Sequence, residues 1–347
     1  MVELSGVPVR RNETSLSSPK RTKAFWWGSL TILFSAAVLY WAVRGVDWAR
    51  FASIVAGARW EYLLLSAAIT GASYLLRAIR WRILLNAEAA LDVATVFWAN
   101  MAGYLGNNFL PARGGELIRT VLISRRSTLS NSFVLTTALS ERLMDVIAVI
   151  LWAAAAMRGV EPKPQWLADV SGLILAGALT VCLFTALLPL LAGPLERTIQ
   201  RLPAPAAVTA FTLRHTEQAL VGLRGFHDVR RLAGFSFLTA LVWMIDAVAL
   251  MTAAHALGLA LSFRVAILLL AGLALGSALP STPGYVGIFQ AVAVTILPPF
   301  GFTRDQALAF ICVAQATSYA VVLALGLPGM WILRRSGPAG ETQMQST

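Results

Sequence analysis

The sequence predicts an all-α polytopic membrane protein: about six spanning helices plus two re-entrant helical hairpins arranged as inverted repeats, N-in and C-in. Three observations lead there. Of the 347 residues, 57% are hydrophobic and only 13% charged, whereas ordinary soluble domains carry about 25% charged residues. Several near-charge-free runs approach the ~20 residues that one spanning helix requires, and they lack the alternation of lipid-facing β-strands. Two further apolar stretches are interrupted by proline and glycine, at LPARGG (110–115) and LPSTPG (279–284).

Residues 1–23 are polar, with Arg10, Arg11, Lys20, Arg21 and Lys23, and are expected to form a disordered basic cytoplasmic tail. The apolar run 24–43 is too long for a cleavable signal core, and no small-x-small site follows it. It reads as a retained first membrane helix. Runs 60–79, 132–156, 168–192, 232–256 and 306–332 are the other expected spans. The transmembrane domain then covers 24–333, and 334–347 form a second disordered tail. Cys182 and Cys312 fall inside apolar runs and imply no disulfide framework.

The positive-inside rule orients the runs. With a cytoplasmic N-terminus, 20 of the 28 Lys and Arg residues fall in cytoplasmic segments, among them Arg77, Arg80, Arg82, Arg113, Arg119, Arg125 and Arg126. Seven fall on the opposite side, and Arg142 remains within the membrane. The tally requires that 93–110 not cross, because arginines flank it at both ends. A hairpin over about 93–124 satisfies it, dipping in from the cytoplasm and turning near Pro111. The second hairpin, about 265–299, lies between Arg264 and Arg304 and dips from the opposite side. Two full crossings would keep the same parity there; arms of ~16 residues favour the dip.

The two tips share Leu-Pro at the start and Gly at the sixth position. Broken segments at matching places in two halves point to a transport site near the midplane. Two unrelated Pro-kinked helices are the alternative. Non-helical backbone at that depth is tolerated only where protein buries it or water fills a cavity. Asn107, Asn108, Arg113 and Glu116 are expected to line such a cavity. Gly114 and Gly115 open the next helix, whose free amides suit an anion, a phosphate with Arg113 as charge partner. A plain helix cap by Asn108 or Glu116 is the alternative.

SERLMD (140–145) borders one helix face with Glu141, Arg142 and Asp145. Glu141 lies about nine residues, or ~14 Å, into its run. A charge at a helix centre costs about 2.5–3.5 kcal/mol on insertion scales, so these groups need partners or water. Pairing Arg142 with Asp145 or Glu141 leaves one acid over. Asp246 stands alone in LVWMIDAVAL, with Arg142 or Arg77 as candidate partners. Arg77 precedes Pro111 by 34 residues, and Asp246 precedes Pro280 by the same 34, which suggests equivalent positions in two repeats. Pro283, Gly284, Gln290, Gln315, Ser318 and Tyr319 place polar and backbone groups on or beside the second hairpin. Interhelical hydrogen bonds are the plain reading of several of these.

The stretch 210–226 has roughly helical apolar spacing with Arg214, Glu217 and Arg224 interleaved. An interfacial helix and a solvated connector both fit it. His215, His227 and His255 make no metal spacing, and no nucleotide-binding or nucleophile-elbow motif occurs, so no cofactor is implied. Topology and lipid contact account for the arginine excess without nucleic acid.

Four pieces in chain order resemble the membrane domain of the lysylphosphatidylglycerol synthase/flippase superfamily, the flippase-like domain. They are RAIRW (77–81), NNFLPARGGELIR (107–119), ER..D (Glu141 to Asp145) and PSTPGYVGIFQ (280–290). The resemblance spans about 60–330. It implies a lipid-translocating domain whose substrate-binding groups include Arg77, Arg113, Glu116, Arg119, Glu141, Arg142, Asp145, Asp246 and the second tip. No aminoacyl-transfer domain follows the membrane part, so lysyl-lipid synthesis is not expected. Gln290 stands where many members carry Glu, which puts proton coupling there in doubt.

The leading expectation is an inner-membrane transporter of phosphate-bearing lipids. A membrane-embedded transferase, with Glu141 or Asp246 as base, is one rival. A non-catalytic assembly partner is the other, and it predicts fully paired buried charges with no open cavity.

Overall fold

The computed structural model describes residues 32–110, 114–158, 172, 176–177, 228–277 and 282–335. The first tail, residues 24–31 of the first expected span, Arg113, most of the 168–192 span, the 210–226 stretch and 336–347 of the second tail lie outside these; residues 334 and 335, expected in that tail, end the last helix instead. Among the described residues the regular elements are all helical, as the hydropathy pattern predicts.

Helix α1, described over Ile32–Val43, meets α2 (Trp48–Ala56) at 88°. Gly45 makes the corner at φ 76°. Asp47 caps α2, its carboxylate accepting from the Ala49 and Arg50 amides at 3.0 and 3.1 Å. The sequence reading did not anticipate α2. Helix α3 (Trp60–Leu85) runs further than the predicted 60–79. No glycine or proline interrupts it after Gly71, so Arg77, Arg80 and Arg82 lie in the helix and not in a loop.

α4 (Val93–Phe109) and α5 (Gly115–Arg125) form the first hairpin, and α6 (Asn131–Met157) follows. Asp92 and Ser130 supply the side-chain caps of α4 and α6. The second half repeats the order: α7 (Val229–Ala256), α8 (Phe263–Gly276), a 3-10 turn at Pro283–Tyr285, α9 (Ile288–Ile296), a second 3-10 turn at Pro298–Phe300, and α10 (Arg304–Arg335).

Among the described residues, four stretches are long and apolar enough to cross a membrane: Trp60–Leu85, Val229–Ala256, Pro283–Phe300 and Arg304–Leu333. The α1–α2 pair makes five if counted as one span. The chain is a multi-pass membrane protein. α6 is 27 residues long but carries Glu141, Arg142 and Asp145, which remove it from the apolar set. With its flanking turns, the second arm of the second hairpin reaches 18 residues. Arm length therefore does not favour a dip over a crossing there, contrary to the sequence argument.

Exchanging the two halves leaves the packing scheme of α3 to α10 unchanged. α3 packs on its own counterpart, α7. α4 packs on α10, as α8 packs on α6; α4 on α5, as α8 on α9; and α5 on α6, as α9 on α10. This is the arrangement that a two-fold repeat generates. Small residues set the close approaches. A Cβ on Gly326 would stand 2.9 Å from the Met101 carbonyl, and one on Gly329 2.9 Å from that of Trp98, so α10 lies tight on α4.

Within the first hairpin the approach is tighter still. A Cβ on Gly115 would fall 1.8 Å from the Gly103 carbonyl oxygen, which only a backbone shift can relieve. Gly71 has nothing within 4 Å of its Cβ direction. Gly115→Ala is expected to lower stability by about 1–3 kcal/mol through overpacking. Gly71→Ala is expected to be neutral or to stabilise by up to ~1 kcal/mol through helix propensity. Thermal unfolding of the purified protein in detergent compares the two.

Candidate functional site

Six charged side chains from α3, α5 and α6 alternate in sign around a closed ring. Arg80 on α3 forks onto Asp145, Nη1 to Oδ1 at 2.5 Å and Nη2 to Oδ2 at 3.1 Å, and its Nη2 also reaches Glu141 Oε1 at 2.7 Å. The other oxygen of Glu141 accepts from Arg119 Nη1 at 2.9 Å. Arg119 Nε donates to Glu116 Oε2 at 2.6 Å. Glu116 Oε1 accepts from Arg142 at 3.0 and 3.2 Å. Arg142 closes the ring toward Asp145 at 3.7 Å.

The ring grades from fully buried to accessible. The side chains of Arg80 and Glu141 are 0% exposed, that of Glu116 15% and that of Arg142 28%. Neutral groups support the buried edge. Asn100 accepts from Arg119 at 3.0 Å, and Thr239 from Arg80 at 3.2 Å. The Trp81 ring lies 4.5 Å under the Arg119 guanidinium, and the Phe235 ring 5.1 Å under Arg80. Trp81 is itself held by a bond to Thr137 at 3.1 Å.

The accessible edge opens into a cavity of about 330 Å³ between the halves. The first hairpin contributes Asn107, Asn108 and Glu116; α6 contributes Arg142; Ser277 and Tyr285 flank the second tip. On the axis between α3 and α7, Arg77 pairs with Asp246, and Ser73 also donates to Asp246 at 2.5 Å. These partners stand 169 residues apart, the separation of Pro111 from Pro280 in the sequence. The repeat register inferred from the 34-residue offsets therefore brings the two residues face to face. Leu250, Leu270, Leu273 and Val322 add apolar wall.

The sequence model described as Lysylphosphatidylglycerol synthase TM region matches residues 27–326. The chain belongs to that family. A search of curated proteins finds no match. Family membership supports a membrane-lipid-related function. In this member of the lysylphosphatidylglycerol synthase transmembrane-region family, the matched stretch contains the whole ring, both hairpins and the Arg77–Asp246 pair.

Several sequence readings need correction. Arg77, Arg80 and Arg119 are not solvated cytoplasmic charges; they lie in helices and pair with acids. Without them the tally of basic residues is 17 against seven, which keeps its sign. Arg142 takes Glu116 as its nearer partner, and Glu141 goes to Arg80 and Arg119, so no acid is left over. Glu141 and Arg119 lie behind the cavity wall rather than on it. The Gly115 amide donates to Asn107 Oδ1 at 3.0 Å, so the cap comes from Asn107 and that amide is not open to an anion. Gly114 holds the N-cap position with helical dihedrals.

At the second tip, Gln290 and Gln315 fasten backbone and do not line the cavity. Gln290 Oε1 accepts from the Gly287 amide at 2.7 Å, and its Nε2 donates to Gln315 Oε1 at 2.7 Å. Gln315 in turn donates to the Gly284 carbonyl at 2.7 Å, which Tyr319 also meets. Pro283 opens the 3-10 turn. Gly284 and Gly287 hold φ of 75° and 93°, and Tyr285 holds 61°, a left-handed conformation uncommon without glycine. The Tyr285 ring stacks on Phe289 at 5.1 Å, and both line the cavity.

Sequence reading missed Arg80 as a site residue, although it follows Arg77 by one helical turn, the signal that would have placed both on the inner side of α3. It also missed Tyr104 and Trp243, cavity residues whose O–H and N–H find no partner among the described residues.

Breaking a buried pair leaves an uncompensated charge. Arg80→Ala and Glu141→Ala are each expected to destabilise by about 3–5 kcal/mol. Their double variant should cost clearly less than the sum, because each change removes the other's partner. Thermal unfolding of the three proteins gives the coupling.

Proposed function

We propose that the protein is a lipid flippase of the bacterial inner membrane, moving a phospholipid or lipid-linked molecule between leaflets. The observation that carries this reading is one cavity lined from both hairpins and edged by the Glu116–Arg142 and Arg77–Asp246 pairs. At about 330 Å³ it lies at the low end of small-ligand pockets, about 300–1,000 Å³. That is space for a headgroup and not for acyl chains. The chains stay in the bilayer, so translocation requires only that the headgroup exchange water for the polar wall. In this reading the halves are inverted repeats, N-in and C-in, and the substrate site lies near the midplane between broken helices, as in other transporters built this way.

Arg142 is the cation best placed to hold the phosphate, being the most exposed member of the ring. Arg77 is the second. Glu141 serves from behind, fixing Arg119 and through it Glu116. Arg142→Ala is expected to reduce leaflet exchange of fluorescent phospholipid in proteoliposomes by at least about tenfold, a loss of one charge-assisted contact. Its elution as a folded species should be unchanged. Exchange at the wild-type rate overturns the assignment. New covalent products from the purified protein and labelled lipid would mean a transferase instead.

A further inference from the structure

The charges facing the cavity cancel. Among the described residues the ionised side chains that line it are Arg77, Arg142, Glu116 and Asp246. Behind them the rest of the ring, Arg80 and Arg119 with Glu141 and Asp145, cancels too. A guest with net charge would find no counter-charge left over among these residues, and an unpaired charge is the costly case. A guest carrying one charge of each sign meets a complement for both.

We infer that the cavity takes a headgroup of zero net charge that carries a phosphate and an amine, a zwitterion, in preference to an anionic headgroup. The inference rests on the transport reading above and specifies its substrate class. Each pair shows both of its members to the cavity: Arg142 and Glu116 are 28% and 15% exposed, Arg77 and Asp246 14% and 17%. The phosphate inserts at the arginines and the ammonium at Glu116 and Asp246. Each native pair opens only as far as it gains a new partner of the right sign. Tyr104 and Trp243 line the same wall, and their buried O–H and N–H have no partner among the described residues. The apolar wall at Leu250, Leu270 and Leu273 favours a lipid over a soluble zwitterion.

The test is equilibrium binding to the purified full-length protein in a non-ionic detergent, read by native mass spectrometry. Three probes are used: dihexanoyl phosphatidylethanolamine, dihexanoyl phosphatidylglycerol and glycerophosphoethanolamine, which lacks chains. The ethanolamine lipid is expected to bind at least about tenfold more tightly than the glycerol lipid, the size of one uncompensated charge or less. Glu116→Gln and Asp246→Asn each leave the cavity one positive charge in excess and should shift preference toward phosphatidylglycerol; two variants guard against one failing to fold. Equal binding, or preference for the anionic lipid by the wild type, overturns the inference. So does an unchanged preference in both folded variants. Binding of glycerophosphoethanolamine as tight as that of its lipid overturns the lipid source. Leaflet exchange measured separately tells the two readings apart: exchange without headgroup preference removes this inference alone, whereas no exchange of any lipid removes the transport reading beneath it.

Discussion

Glu141 divides its two oxygens between Arg80 and Arg119, and the first half of the molecule is organised by that division. A carboxylate with a 0% exposed side chain is tolerable only if both oxygens are satisfied by cations held at the right distance. Arg80 belongs to α3 and Arg119 to α5, so satisfying Glu141 fixes a long helix and an arm of the hairpin against α6. Closing the ring through Glu116 and Arg142 makes the set neutral. Six charges whose separate insertion would be prohibitive become one polar plug with no net charge. The ring also determines which of its members face outward. With Arg80, Glu141 and Arg119 committed to one another, Glu116 and Arg142 are left at the edge, where a ligand can compete for them.

The two halves use the repeat differently. On the axis between α3 and α7, equivalent positions meet, and identical residues there would repel or leave donors unpaired. Arginine at 77 and aspartate at 246 convert that self-contact into an ion pair. Away from the axis the divergence is larger. The first hairpin is fastened to α6 by charges, whereas the second is fastened to α10 by the amides of Gln290 and Gln315 and the Tyr319 hydroxyl. Neutral hydrogen bonds are roughly half as strong as charge-assisted ones. The second tip also holds Tyr285 in a left-handed conformation, a local cost that its surroundings must offset. The halves thus share a packing scheme while differing in how firmly each tip is held.

What was legible in the sequence follows from which signals are local. Hydropathy and breakers located α6, α7, α10 and both hairpins, because a run of apolar residues and a Pro-Gly interruption are read from adjacent positions. The Arg77–Asp246 contact was legible only in part: the spacing suggests equivalent positions in two repeats, with Arg77 and Arg142 both open as partners, and the packing of α3 on α7 decides for Arg77. The ring was not. Arg80 had a local signal, its place one turn after Arg77, but the positive-inside rule counts both it and Arg119 as solvated loop charges, and for Arg119 tertiary packing alone shows that α5 carries it inward. The cap was misassigned for the same reason. Asn107 lies eight residues before the amide that it accepts from, across a turn that sequence neighbours do not reveal. Arg113 lies outside the described residues.

A non-catalytic assembly role predicts full pairing of buried charge with no open cavity, as though the two exclude each other. They do not. Pairing in the ring is deep where Arg80 and Glu141 are enclosed, and shallow at Glu116 and Arg142. Deep pairs cannot be exchanged for a ligand without exposing a bare charge to a dry interior. Shallow pairs can, because solvent or a guest replaces each lost contact as it opens. One network therefore both holds the helices together and presents replaceable charges to the cavity. The Gln290 amide carries the same logic to the second tip. It accepts from the Gly287 amide and donates to Gln315 at once, and an ionised carboxylate there would keep the first bond but leave the Gln315 oxygen without its donor. A neutral amide is the group that satisfies both, and it does so without burying a charge behind the second tip.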